Sequence, residues 1–138
     1  TPDGSELAAI NSYACPAFAI VGRDAKADAA LFEALYTALP QREDETEPMF
    51  NILKWRNGEA YITVVIPRDK HRPACYSAEG DAQMLISPGA LDMAGLVITP
   101  RKEDFERLDT PLLEALYKEV CMPTSTFEDV KQKIMGLS

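Results

Sequence analysis

Hydrophobic and polar positions alternate most cleanly over Glu59–Arg68. There Ala60, Ile62, Val64 and Ile66 share one parity, and Tyr61, Thr63 and Val65 the other. Period-two alternation marks a strand whose two faces meet different surroundings. The even positions read as one continuous apolar face, and the odd ones as mixed. Met49–Arg56 is a second β-rich run. Asn57-Gly58 between the runs tolerates the two positive φ angles of a type I′ turn, so the pair predicts a tight antiparallel hairpin central to a sheet. Cys15–Gly22, carrying Phe18, Ile20 and Val21, predicts another strand closed by glycine. Residues 5–14 stay open between a short strand and a turn.

Elsewhere the apolar period lengthens. Leu31, Phe32, Leu35, Tyr36 and Leu39 form a helical stripe, with Asp24 as an N-cap and Pro40 as a stop, which predicts a helix over 25–39. Residues 69–83 read as an irregular polar loop, and Met84-Leu85-Ile86 as a short strand. Ser87 as N-cap, Pro88 at the first helical position and Gly95 just beyond the last predict a helix over 88–94. Leu96–Thr99 then returns to the sheet. Three short helices close the chain. Thr99-Pro100 opens one with Phe105 and Leu108, and Thr110-Pro111 opens another with Leu112, Leu113, Leu116, Tyr117 and Val120. The capping box Ser125-Thr126-Phe127-Glu128 starts the third, whose apolar side is Phe127, Val130, Ile134 and Leu137. The expected class is α+β: an antiparallel sheet with a central hairpin, packed by helices, with a helical C-terminal tail, in a single domain over 1–138.

Composition narrows the function classes. With 46% hydrophobic and 26% charged residues the chain is globular rather than disordered. No apolar run approaches the ~20 residues of a membrane span. The start, Thr1-Pro2-Asp3-Gly4-Ser5, is not a signal peptide and lacks an initiator Met, so the chain is expected to be cut from something longer. A formal net charge of -8 repels nucleic acid and anionic membrane, and neither is expected as a partner. Cys15, Cys75 and Cys121 show no CxxC spacing and read as small buried hydrophobes in a reducing, cytoplasmic compartment. One histidine, His71, cannot complete a zinc site, and neither metal nor cofactor is expected. The acidic run Glu43–Glu47 matches no EF-hand spacing and reads as a solvated loop.

On so acidic a chain an anionic ligand needs a local basic patch. The densest is Pro67-Arg68-Asp69-Lys70-His71-Arg72-Pro73. Arginine forks match phosphate or carboxylate oxygens two at a time, and the flanking prolines stiffen the loop. Arg68, Lys70, His71 and Arg72 therefore read either as an anion site or as a solvated loop paired locally through Asp69. Ser87 and Gly89 begin a second candidate, a helix start where Gly89 admits a ligand close to the backbone, set against a plain strand–helix–strand connection. Asn51 is a polar residue in an apolar run and needs a partner, either backbone or ligand. Trp55 and Tyr61 read as packing residues. No G-x-S-x-G elbow supports a serine nucleophile.

Phe50-Asn51-Ile52-Leu53, the hairpin ending Val65-Ile66-Pro67-Arg68, and Ile86-Ser87 through Ala94-Gly95-Leu96-Val97 follow one another in this order. This order, over about residues 49–105, resembles the C-terminal part of diadenosine tetraphosphate phosphorylases. Those belong to the histidine-triad-like superfamily with the galactose-1-phosphate uridylyltransferases, and His71-Arg72-Pro73 together with Ser87–Gly95 is similar to a Bacteroidales branch of it. The resemblance implies an α+β fold and nucleotide or nucleotide-sugar chemistry, in which a histidine of a His-x-His-x-His or His-x-His-x-Gln motif attacks phosphorus. No such motif occurs here, so no catalytic residue is transferred. Asn51, Arg68, His71 and Arg72 carry over as phosphate or ligand contacts. The expected function is the nucleotide-binding portion of a nucleotidyltransferase- or phosphorylase-like protein, catalytically incomplete in this chain, with a phosphorylated small molecule as partner and a homodimer compatible. The alternative is a non-catalytic interaction or regulatory domain that keeps the fold.

Overall fold

A computed structural model describes residues 5–10, 15–41, 46–93 and 96–135. Its sheet is built from β1 (Glu6–Ile10), β2 (Ala17–Gly22), β3 (Phe50–Asn57) and β4 (Ala60–Pro67), in the order β1-β2-β4-β3 with every neighbour antiparallel. The α+β class holds, and the β3–β4 hairpin lies beside β2 as the alternation predicts. The turn differs in detail. Asn57 still pairs with Ala60, so Gly58-Glu59 are the central residues, and Gly58 alone has a positive φ, 64°. Type I′ needs two such angles, whereas the related type II′ turn needs one, at a first-position glycine.

Register shows which face is the core. Val65 faces the same way as Phe18 and Ile52, its cross-strand partners, and both Phe18 and Val65 are fully buried. Helix α1 (Ala25–Ala38) brings Leu35 and, just past its end, Leu39 onto this face, and α5 (Thr124–Met135) brings Phe127 and Val130. The Phe18 and Phe127 rings stack at 4.6 Å between centroids. The deepest core thus lies under the mixed, odd-numbered face of β4. The continuous apolar face is covered only at one end, where Ala17 and Ile66 meet Val120 and Cys121. Farther along it Val21 and Trp55 remain exposed. Alternation reports that two faces differ; where the helices land decides which is buried.

Local signals place α1 well: Asp24 accepts from the Lys26 N–H at 2.9 Å as the N-cap. In the C-terminal half, α3 (Lys102–Arg107) and α4 (Thr110–Val120) form, with Asp109 rather than Thr110 capping α4 through the Leu112 N–H. Ser125 is already inside α5, so the expected capping box does not start that helix. Leu137, Ala94, Gly95 and residues 43–45 of the acidic run lie outside the described residues. The irregular loop contains two 3₁₀ turns, at Ala74–Ser77 and Gly80–Ala82.

The strands expected at Met84–Ile86 and Leu96–Thr99 do not form. Their backbone donors are taken elsewhere. The Leu85 N–H donates to Asp104 Oδ2 at 3.0 Å, the Met84 N–H to the Cys75 carbonyl at 3.0 Å, and the Ile98 N–H to Asp92 Oδ1 at 3.3 Å. Met84 and Ile86 are buried with Leu116 in a separate small cluster, so an apolar run that suits a strand serves as a packed irregular segment.

Asp104 organises this region. Its side chain is fully buried and accepts from Arg101 Nε and Nη2, both at 2.9 Å, from Arg107 Nη2 at 2.7 Å and from the Leu85 N–H. These bonds, foremost those from Arg101, hold its carboxyl well below the usual carboxylate range against the upward push of burial. A depressed folded pKa gives stability that is complete above the unfolded value, about 3.9, and is lost as pH falls through the folded one. Thermal melts at pH 7, 5 and 3 are expected to show the wild type losing stability mainly between the last two. Asp104→Asn starts lower at pH 7 and loses less on acidification. Equal acid sensitivity in both proteins would remove Asp104 from this role.

A disulfide joins Cys15, just before β2, to Cys121, just after α4, with Cα atoms 5.3 Å apart. The expectation of three reduced cysteines is therefore corrected: only Cys75 is a free thiol. Spacing could not reveal the pair, since its members are 106 residues apart and meet only because β2 packs beside the end of α4. Among the described residues no helix is long and apolar enough to cross a membrane.

Candidate functional site

The basic loop leaves β4 at Arg68, where the chain turns over the C-terminal end of α4. A helix C-terminus presents unpaired carbonyls and the negative end of its dipole, which favours a cation. Arg68 supplies it. It is only 8% exposed, and its Nε donates to the Val120 carbonyl at 3.2 Å. The same carbonyl accepts from the Asp69 and Lys70 N–H groups at 2.8 and 3.3 Å. Arg68 Nη2 donates to the carbonyls of Lys70 and His71 at 2.9 and 3.0 Å, and Nη1 to Asn51 Oδ1 at 2.5 Å. Four of its five N–H groups are thus used within the protein. Burial lowers its pKa, and the nearby Asp92 charge opposes that shift.

Asn51 has found its partner in Arg68, across the β3–β4 hairpin. The loop around this anchor presents the remaining groups. Lys70 Nζ pairs with Glu119 Oε2 at 3.2 Å, and the same oxygen accepts from the Ala74 N–H at 2.6 Å. The Arg72 guanidinium lies over the Tyr76 ring at 4.1 Å and is exposed, as is His71. The loop is therefore an ordered turn folded around one buried arginine, with Lys70, His71 and Arg72 displayed outward.

Ser87 is exposed and Gly89 half-buried. The four-residue helix α2 (Ala90–Met93) follows directly on Gly89, whose N–H donates to Asp92 Oδ2 at 2.8 Å. This is the return half of a capping box, with Gly89 rather than Ser87 as the cap. The Gly89 N–H is thereby committed to the protein itself. Asp92 also receives the Ile98 N–H, and its carbonyl accepts from the Tyr117 hydroxyl at 2.8 Å. Asp92 links the second candidate segment to the first, because its charge acts on Arg68. Sequence reasoning passed over Asp92; the visible signal was an acidic residue three positions after a glycine that precedes a helix. Cys75 is no nucleophile candidate, since burial, foremost, and the Glu119 charge push its thiol up. No group of His, Cys, Asp and Glu among the described residues is arranged to hold a metal ion.

A family model described as "GDPGP1-like, C-terminal domain" matches residues 3–138. The chain belongs to this family. The match is wider than the 49–105 stretch that carried the resemblance, and it places the GDPGP1-like domain among histidine-triad-like phosphorylases. No curated protein and no solved structure matched the chain. Within the GDPGP1-like domain the Asn51–Arg68 bond now has a plain reading: it joins the two hairpin strands to the end of α4 and fixes where the basic loop begins.

Proposed function

We propose that this GDPGP1-like domain contributes anion contacts to a nucleotide or nucleotide-sugar site of a phosphorylase-like protein, and that the attacking histidine is supplied by other residues than these. The observation that carries the reading is the Arg68-centred turn, which holds Lys70, His71 and Arg72 outward on an otherwise acidic chain. Arg68 and Asn51 act by setting the loop's shape. Arg72 is the principal phosphate contact, with Lys70 exchanging its Glu119 partner for the ligand and His71 and Ser87 beside it. Gly89 serves by keeping α2 close to this end of the sheet.

Calorimetric titration with a nucleoside diphosphate and with a nucleotide sugar tests the reading. Saturable binding is expected, weakened about tenfold in Arg72→Ala, in line with loss of one charge-assisted contact of roughly 1.5 kcal/mol. A Kd unchanged in the Lys70→Ala/Arg72→Ala double variant would sink it. A second reading, an interaction domain that includes self-association, is favoured by the uncovered sheet face, where Trp55 is 47% and Val21 38% exposed. Sedimentation of the native protein beside Trp55→Glu separates the two.

A further inference from the structure

The order β1-β2-β4-β3 leaves β3 at an edge of the sheet. An antiparallel ladder bonds alternate residues of a strand to one neighbour and turns the others away from it. The Arg68 N–H donates to the Met49 carbonyl at 2.8 Å, so the odd-numbered residues from Met49 onward turn their backbone groups to β4. The N–H and C=O groups of Ile52, Lys54 and Arg56 therefore point out of the sheet. No described residue answers them. Natural proteins keep open edges short, bulged or covered, whereas this one is eight residues long and pairs with β4 residue for residue.

An open groove of about 530 Å³ lies along this edge, lined by Ile52, Leu53, Lys54 and Trp55 together with Met93 of α2. Successive side chains of a strand leave opposite faces. A groove that touches four consecutive residues therefore runs beside the strand rather than on one face of it. Its two sides differ. Leu53, Trp55 and Met93 form an apolar side, and Leu53 and Met93 are packed against the cluster of Val120 and Cys121. On the other side Lys54 and Arg56 stand two positions apart, both exposed, 5.4 and 6.0 Å from the centre of the Tyr61 ring. Arg56 Nε donates to the Gly58 carbonyl at 2.9 Å, and neither cation is paired with a carboxylate among the described residues.

We propose that β3 takes an extended acidic segment of a partner protein as an added strand. Main-chain bonds to Ile52, Lys54 and Arg56 supply affinity, and alternate side chains supply selectivity. Residues of the segment opposite Lys54 and Arg56 are two apart, share their face and are carboxylates. The residue between them faces the side of Leu53, Trp55 and Met93 and is apolar. The recognised pattern is thus acidic–apolar–acidic. A second copy of this chain is a poor occupant. Its own β3 brings the same two cations to the edge, and like charges set opposite one another weaken a strand pair. The formal net charge of -8 adds repulsion between whole chains. The proposal does not depend on what the basic loop binds.

Titration of the intact protein with a short blocked peptide that alternates glutamate and valine, followed by two-dimensional NMR and amide hydrogen exchange, tests it. Saturable shifts are expected along β3 and at Met93, with exchange slowed at the Ile52, Lys54 and Arg56 amides. Two control peptides are expected to bind at least about tenfold more weakly. One has the same composition with its glutamates in a single block, and loses the match of faces. The other has its glutamate nitrogens methylated, and loses main-chain bonds. Lys54→Glu/Arg56→Glu is expected to bind the alternating peptide about tenfold more weakly and to prefer its lysine–valine counterpart. Arg72→Ala should change nothing. The assignment is overturned by no binding, by equal binding of the lysine–valine or the methylated peptide to the native protein, or by shifts confined to the basic loop and lost in Arg72→Ala. Slowed exchange at the same three amides in the free protein, growing with concentration as sedimentation shows a dimer, would give the edge to a second copy and overturn it as well.

Discussion

Arg68→Ala is expected to lower unfolding stability by about 3–4 kcal/mol and to shift the thermal midpoint down by roughly 10–15 °C. The loss has three parts. The Val120, Lys70 and His71 carbonyls each lose a charged donor, and Asn51 is left with an unanswered oxygen in a half-buried strand. The end of α4 loses the cation that faces its dipole. A cavity opens where a side chain only 8% exposed had filled the junction of hairpin and helix. Arg68→Lys keeps charge and much of the volume but has no fork to bridge Asn51 and three carbonyls, so it is expected to recover less than half of the loss. Asn51→Ala removes one bond and should cost about 1–2 kcal/mol. Chemical denaturation of the three variants decides the matter. If Arg68→Ala is as stable as the native protein, the guanidinium is not the anchor described here. The loop's displayed cations would then be free of it.

Replacing Cys15 and Cys121 by alanine together is expected to cost about 3–5 kcal/mol. Closing a loop of this length lowers unfolded-chain entropy by nearly 5 kcal/mol in the simple chain model, and measured effects commonly fall below it. The loop spans 106 residues and joins the start of β2 to the end of α4. Cys121 also forms an isolated β-bridge with Arg68, and the Met122 N–H bonds to the Pro67 carbonyl at 3.0 Å. The two largest predicted effects therefore meet at one junction, and the combined variant should fall short of additivity. Thiol titration of the unfolded protein without reductant checks the bridge directly: one reactive thiol, Cys75, is expected, and three after reduction. Three thiols without reductant would show that the native protein carries no bridge.

The elements that local chemistry dictates were legible along the chain. The alternation over Ala60–Pro67 and the glycine at position 58 specify a hairpin wherever they occur. Asp24 and the stripe ending at Leu39 specify a helix almost to the residue. The basic loop was legible as a cluster of charge, and family membership was partly legible in the order of short motifs around it. The short apolar runs at Met84–Ile86 and Leu96–Thr99 misled, because a run of three or four apolar residues suits a strand or a packed loop equally. Their N–H groups chose side-chain carboxylates, Asp104 and Asp92, that lie elsewhere in the sequence.

What the sequence alone determined is the α+β class, the hairpin, the capped first helix and the presence of a cationic turn. Each follows from interactions between residues a few positions apart. Only the tertiary structure decided which sheet face is the core, that Arg68 is an internal anchor while Arg72 is displayed, and that Cys15 meets Cys121. Those outcomes depend on partners many residues away, 52 for Arg68 and Val120 and 106 for the cysteines. The pattern along a chain records what each residue prefers locally, and packing selects which distant group answers it.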